Sequence, residues 1–490
     1  MNVTEQYSRI GCARDSTQAN LSWRGRVAFV GALLAIGFFL RIVAAFVWQN
    51  SIEGESQFRF GDSDTYWVIA NKIGKGLPYQ YGSPDSKVFR APLYPLFLSP
   101  CTWLDSETEG ANGGTKWKAV FAARIAGCAM GALCIGLVML LSDRSCRKKD
   151  GPHKSSIWIW SGILAVLYPG AIGMSIFVLS EAIFCPLLLL SLGFTSFAIQ
   201  AKRESRWEIA WSWMLLSGAI SGLASLARPS WSLWPAILFL YLAAVLVRSV
   251  PRPSMRTIMH WLLGCGMFCL GIGMVMCPWW LRNYQETGKF VPTTLQVGAS
   301  LYDGWHPGAS GSSDEGMDFV NAFIVEQKNE DQRETLAGNQ LESTLEWRVD
   351  RRLRNAAIAW AVENSSDAVR LGLVKFAKTW SPLPVARQLG KGVKWFEAIG
   401  YTAIMVFALI GMWQCRTQAG SWLYAVPCVY FALLHVFFIG SVRYRQPAVL
   451  VICVLGGIGC AETIRWIQKR KTKLEGSIAS NDVTVDTSHK

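Results

Sequence analysis

The chain has 490 residues, of which 51% are hydrophobic and 17% charged, with 23 Trp, 24 Phe and a mean hydropathy of +0.25. A charged fraction well below the roughly 25% of soluble domains excludes a disordered or fibrous chain and argues against a soluble globular one. Lys and Arg outnumber Asp and Glu by 48 to 34, giving +14, and in a membrane protein such a surplus is first a topology signal rather than a nucleic-acid footprint.

Apolar residues fall in long uncharged blocks, and a membrane helix needs about 20 of them. Ten spans are predicted, near 27–48, 117–141, 157–176, 180–199, 208–227, 231–248, 258–280, 396–414, 421–440 and 447–463. The fold class expected is therefore an all-α polytopic membrane protein with two large outer-face loops containing amphipathic helices. The first block follows Arg24 and Arg26 and reads as an uncleaved signal-anchor. The third and fourth spans share one apolar stretch, and Tyr168-Pro169-Gly170 loosens the helix there. Most of the 13 Cys lie inside apolar blocks without zinc-ligand spacing, so they read as small packed hydrophobes.

With the N-terminus inside, the cytoplasmic segments hold 22 basic and 10 acidic residues, a balance of +12 out of the total +14. That bias supports the orientation. Runs such as Arg147-Lys148-Lys149 and Lys469-Arg470-Lys471 then orient the chain against anionic lipid. The domains expected are a cytoplasmic N-terminus 1–26, a membrane module 27–280 that includes an outer loop 49–116, an outer-face domain 281–395, C-terminal membrane helices 396–463 and a basic tail 464–490, disordered after about Lys473. The outer domain has 14 basic and 14 acidic residues. In it, helical spacing runs from Glu346 to Trp360 and from Ser366 to Trp380, and Val369, Leu373, Phe376 and Trp380 form a stripe, flanked by Lys375 and Lys378, that suits the membrane surface.

Charge within a membrane segment is unfavourable by roughly 2.5–3.5 kcal/mol on insertion scales, so it usually faces a cavity or a partner. Arg41, Asp62, Arg90, Arg124, Glu181, Arg228, Arg282, Arg443 and Arg445 come from distant segments, yet the topology puts all of them at one face. They predict an outward-facing, Arg-rich polar site, and Arg forks suit phosphate. The first outer loop contains Gly61-Asp62-Ser63-Asp64-Thr65-Tyr66 and then Arg90-Ala91-Pro92-Leu93-Tyr94-Pro95. Asp62 suits a general base, and equally a helix N-cap. Arg90 suits a phosphate contact or a surface turn. Asp62 with Asp64 also has the look of a divalent-metal pair, with Glu181 as a further carboxylate, but nothing fixes a ligand count. Arg228, Arg282 and Arg443 suit a substrate site or structural partnerships between helices.

These two loop motifs resemble the first outer loop of integral-membrane glycosyltransferases of the GT-C fold. The nearest group is the protein O-mannosyltransferase superfamily, with its bacterial relatives that move aminoarabinose or galacturonic acid from polyprenyl phosphate to lipopolysaccharide. Further matches follow in family order: Leu179-Ser180-Glu181, Gly222 to Pro229, Pro278 to Tyr284, Val291-Pro292 with Leu301-Tyr302-Asp303-Gly304, Lys375 to Trp380 with Pro382, and Arg443-Tyr444-Arg445-Gln446-Pro447. The resemblance implies a plasma-membrane enzyme with its site on the extracytoplasmic face. It would move a hexosyl or pentosyl group from a polyprenyl-phosphate donor to a hydroxyl of a glycan, lipid or protein. Asp62 matches the family's base and Arg90 its donor-phosphate contact, with Arg443 and Arg445 as further phosphate contacts. Tyr66, Arg228, Arg282 and Tyr302 stand as substrate-site candidates, and Gly304 to Gly311 as an edge of the acceptor site. Relatives often carry Asp-Glu where this chain has Asp62-Ser63. No cofactor is required by the pattern, although a divalent metal is compatible with it, and no nucleic acid is expected. The competing classes are a transporter or flippase of lipid-linked sugars, a glycan ligase or polymerase, and a non-catalytic assembly protein.

Overall fold

The computed structural model describes residues 23–52, 58–104, 116–145, 156–249, 252–313, 317–384 and 390–485. Residues 1–22 and the Arg147-Lys148-Lys149 run lie outside them. The regular structure of the described residues is helical. The first helices are α1 (Trp23–Ser51), α2 (Gly61–Gly74), α3 (Leu93–Thr102), α4 (Lys116–Ser145), α5 (Ile157–Leu167) and α6 (Pro169–Ile176). They are followed by α7 (Glu181–Arg203), α8 (Trp207–Ala227), α9 (Trp234–Ser249) and α10 (Met255–Thr287). Helices α11 (Val297–Gly304), α12 (Phe319–Leu336), α13 (Leu345–Glu363) and α14 (Ser365–Trp380) build the outer segment, before α15 (Lys391–Gln414), α16 (Val426–Phe437) and α17 (Val442–Val485).

Among the described residues, eight helices are long and apolar enough to cross a membrane: α1, α4, α7, α8, α9 with its preceding 3-10 turn, α10, α15 and α17. The third predicted span is instead the pair α5 and α6, bent by 56°. Pro169 has no N–H to donate and stands at the first turn of α6, so the helix breaks there. The freed carbonyls are met by buried arginines from other spans. Arg41 donates to the Ala165 carbonyl at 3.2 Å and to Ser175 Oγ at 3.2 Å, and Arg124 to the Ile176 carbonyl at 2.7 Å. The ninth predicted span is a 3-10 turn at Ala419–Tyr424 followed by α16. Its 12 residues rise only about 18 Å, short of the roughly 30 Å hydrocarbon core. The tail beyond Lys473, expected to be disordered, continues α17 as helix to Val485.

The centre of the bundle is α17, whose residues from Ala448 to Ala461 are buried almost without a break. Small residues let the helices approach closely. A Cβ on Gly459 would lie 1.8 Å from the Phe407 carbonyl of α15, and one on Gly218 of α8 would lie 2.0 Å from the Phe268 carbonyl of α10.

Two connections fix the outer segment to the first loop. Leu295 N–H donates to the Val88 carbonyl at 2.9 Å, and the Glu346 carboxylate on α13 accepts the N–H groups of Lys87 and Val88 at 2.9 and 3.0 Å. Burial dominates these bonds and pushes the Glu346 carboxyl up to about 7. Helix α14 presents Val369, Leu373 and Phe376 to the exterior, as the stripe predicts. Lys375 departs from its expected flanking role. It is fully buried, donates to the Phe437 carbonyl at 3.2 Å and lies over the Trp305 ring, because α14 packs that side against α16 and the turn before α17.

Candidate functional site

At one end of the bundle, five charged side chains from five separate elements form a single chain of alternating sign. Asp62 lies in the first turn of α2, where its charge complements the helix dipole. It is not the N-cap; Phe60 holds that position. Its two carboxylate oxygens accept from different arginines, Oδ1 from Arg90 Nη2 at 2.7 Å and Oδ2 from Arg443 Nη1 at 2.8 Å. Arg443, in the first turn of α17, turns its other edge to Glu181, with Nε at 2.6 Å from Oε1 and Nη2 at 3.2 Å from Oε2. Glu181 opens α7 and also faces Arg228, whose Nη1 lies 2.6 Å from Oε1. Arg228 caps the C-terminus of α8, the end of a helix where a cation is favoured.

The cluster has three guanidinium groups and two carboxylates, hence a formal surplus of one positive charge. Its depth is graded. The Glu181 side chain is 1% exposed and those of Arg90 and Arg228 are 9%, while Arg443 reaches 22% and Asp62 31%. The accessible edge is therefore Asp62 with Arg443. Burial raises the Asp62 carboxyl, but the Arg90 and Arg443 guanidiniums outweigh it and hold the group well below the usual carboxylate range. For Arg90, burial lowers and Asp62 raises, and the net direction is up.

Aromatic rings fix the guanidinium planes. Arg90 lies over Tyr66 at 4.9 Å and Phe89 at 5.0 Å, and Arg228 over Tyr444 at 5.2 Å. Tyr444 in turn stacks on His435 with centroids 4.4 Å apart. Two polar partners of Arg90 carried no sequence signal. Thr65 Oγ1 accepts from its Nε at 3.0 Å, and Gln296 Oε1 from its Nη1 at 2.8 Å. Gln296 stands just before α11, so the outer segment contributes directly to the cluster.

The remaining predicted residues lie elsewhere. Arg282 stacks on Tyr79 and Trp279, and Tyr79 donates to the Arg90 carbonyl at 2.8 Å, which makes Arg282 a support one residue removed. Tyr302 packs among His306, Phe319 and Phe323 within the outer segment. Asp64 is exposed on α2 and is not part of the charge chain. Arg445, predicted beside Arg443, is fully buried and joined to a different network. It donates to the Thr379 carbonyl at 3.3 Å and to that of Ser381, lies 3.5 Å from the Tyr401 ring centroid, and has Glu397 Oε1 at 3.8 Å. Two residues along an α-helix point about 200° apart, so neighbouring arginines serve different sites.

The donor set does not fit a resident divalent cation. Among the described residues no three His, Cys, Asp or Glu come together, and the oxygens of Asp62 and Glu181 are taken up by guanidinium groups that would repel a metal ion.

No protein-family model matches the chain, and no curated protein matches it in sequence. Solved structures do match in fold. The archaeal oligosaccharyltransferase AglB from Archaeoglobus fulgidus, in complex with an inhibitory peptide and a dolichol-phosphate, aligns at TM-score 0.54 and 14% identity over 93% of this chain and 52% of that one. The oligosaccharyltransferase from the same organism, tethered to an acceptor peptide containing the NVT sequon, gives 0.51 at 12% identity over 88% and 49%. ArnT from Cupriavidus metallidurans in the apo state gives 0.39 at 13% over 89% and 77%. The chain spans about half the length of the archaeal enzyme. The two oligosaccharyltransferase alignments and the helical architecture agree on one point: the fold is that of the GT-C integral-membrane glycosyltransferases.

Proposed function

We propose that the chain is a glycosyltransferase that takes a sugar from a polyprenyl-phosphate donor and delivers it, with inversion, to an acceptor hydroxyl of a glycan, lipid or protein at the outer face of the plasma membrane. The observation that carries this reading is the alternating charge chain Arg90–Asp62–Arg443–Glu181–Arg228, one positive charge in surplus and open at Asp62 and Arg443. A site with that surplus at the end of apolar helices suits an anionic group on a lipid tail. The neighbouring fold with a dolichol-phosphate bound is in keeping with it.

The reaction is a direct displacement. The acceptor oxygen attacks the anomeric carbon as its proton passes to Asp62. The bond from that carbon to the phosphate oxygen breaks, and its electron pair leaves with the polyprenyl phosphate. The leaving group is already a stable anion, so the positive edge of Arg90 and Arg443 stabilises the charge growing on it without a general acid. The ion pairs add a condition. A carboxylate gripped by two arginines is a poor base. The donor phosphate competes for Arg90 and Arg443, and their transfer to it releases a basic oxygen on Asp62. Glu181 and Arg228 keep Arg443 in place meanwhile. Base strength is thus coupled to donor occupancy.

Transfer from a radiolabelled polyprenyl-phosphate sugar by the purified protein tests the reading directly. Activity is expected in the wild type and not in Asp62→Asn. Full activity in Asp62→Asn removes the base, and unchanged donor affinity in Arg90→Ala removes the phosphate contact.

A further inference from the structure

At the opposite end of the spans from the charge cluster, helices α7, α8, α9 and α10 line an open cavity of about 70 Å³. Its depth is set by α7, which starts with Glu181 in the cluster and carries Lys202, lining the cavity, in its last turn. The two ends are about 30 Å apart, one hydrocarbon thickness. The walls are aromatic. The His260 ring stacks on Trp207 with centroids 4.5 Å apart, and Trp211 lies 5.3 Å from the same ring. Lys202 Nζ stands 5.9 Å from the Trp207 centroid.

Two polar atoms of this wall are not used by the fold. His260 Nε2 and Trp261 Nε1 are buried and have no hydrogen-bond partner among the described residues. Buried polar atoms are paired in the great majority of cases, so two at one cavity call for an explanation. Neither belongs to the proposed transfer chemistry, which lies at the other face.

We propose that the cavity binds an anionic glycerophospholipid from the leaflet opposite the charge cluster. Lys202, Trp261 and His260 hold its phosphate and ester oxygens, and an acyl chain runs out along the apolar wall. Three observations select this occupant. The indole N–H of Trp261 can only donate, so its partner is an acceptor oxygen. Arg203, Arg206, Arg248 and Arg256 stand at the same helix ends as Lys202, and Glu204 is paired with Arg206, so this end favours an anionic headgroup. Ile199, Met214, Leu242 and Val245 give the cavity an apolar wall, which suits an acyl chain.

Native mass spectrometry of the delipidated full-length protein tests the site, with phosphatidylglycerol titrated against phosphatidylcholine of identical acyl chains. The wild type is expected to bind one phosphatidylglycerol about tenfold more tightly than phosphatidylcholine. His260→Phe/Trp261→Phe keeps the stacked rings but removes both polar atoms, and is expected to weaken that binding at least about tenfold, as two lost hydrogen bonds would. Lys202→Gln is expected to bring the two lipids to equal affinity. Equal binding of both lipids by the wild type overturns the proposal, as does unchanged binding in the double variant. If the double variant does not fold, a photoreactive phosphatidylglycerol on the wild type decides. Crosslinks concentrated on peptides containing Lys202 and Trp261 support the site, and crosslinks spread evenly over the lipid-facing belt overturn it.

Discussion

Arg443 and Arg445 lie two residues apart on one helix and do different work. Arg443 grips two carboxylates and is 22% exposed, so its partners can be exchanged for an incoming anion. Arg445 has no exposed side-chain surface; it spans the end of α14 and the face of Tyr401 and lies near Glu397. Around it, Gln446 donates to Glu397 Oε1 at 2.7 Å and accepts from the Tyr168 hydroxyl. The open cluster ends in side chains that a ligand can reach. The closed network ends in backbone carbonyls and rings of its own fold. In the proposed mechanism, intramembrane charge serves function only where its last partner is accessible, and Arg41 and Arg124, spent on the broken helix, are cases of the closed kind.

The largest effect that tests this contrast is expected on Asp62. Asp62→Asn keeps the shape and loses the base, and kcat in the transfer assay should fall by about 10²- to 10⁴-fold. The paired arginines should then separate activity from stability. Arg445→Ala should destabilise the protein by about 3 kcal/mol, since Glu397 is left buried without its cation, read as a drop in unfolding midpoint in detergent. Arg443→Ala leaves Glu181 with Arg228 and Asp62 with Arg90, so it should lower that midpoint by less, and it should lower kcat/KM for the donor. If both variants lose stability equally, the open and closed networks are one structural unit. A smaller effect is expected from Arg90→Ala. Losing one or two charge-assisted bonds of about 1.5–3 kcal/mol should raise donor KM by roughly 10- to 100-fold.

The smallest effect is expected at the joint between the outer segment and the first loop. Glu346 has its folded carboxyl raised to about 7 from an ordinary 4.5. An acid with a raised folded value contributes stability that is complete below the unfolded value and is lost as pH rises through the folded one. Protection of the Lys87 and Val88 amides, normalised to their intrinsic base-catalysed exchange, should therefore fall as pH rises from the ordinary 4.5 through about 7. Glu346→Gln should flatten the dependence.

Much of the architecture was legible in the chain. Long apolar blocks place the helices, because an unsatisfied backbone cannot cross lipid. The Pro169 break was foreshadowed by Tyr168-Pro169-Gly170, and its sharpness was not. Helix α16 reads as a span from composition, but a window of hydropathy does not see where hydrogen-bonded turns end. Of the proposed site, Asp62, Arg90, Glu181, Arg228 and Arg443 stood out as charges at one boundary, and the fold brings these five together. Arg41, Arg124 and Arg445 gave the same signal and serve the fold instead. Gln296, Thr65 and Glu397 gave none, since an amide, a hydroxyl or a single carboxylate at a helix start is common anywhere.

The sequence by itself determined the helical membrane fold and the set of charged residues from which a site can be drawn. It does so because lipid makes hydropathy and charge placement nearly obligatory. Only the tertiary structure decided which of those charges meet. Pairing depends on helix rotation and on contacts between segments hundreds of residues apart, and a rotation of two positions is enough to turn Arg443 to Asp62 and Arg445 to the Thr379 carbonyl.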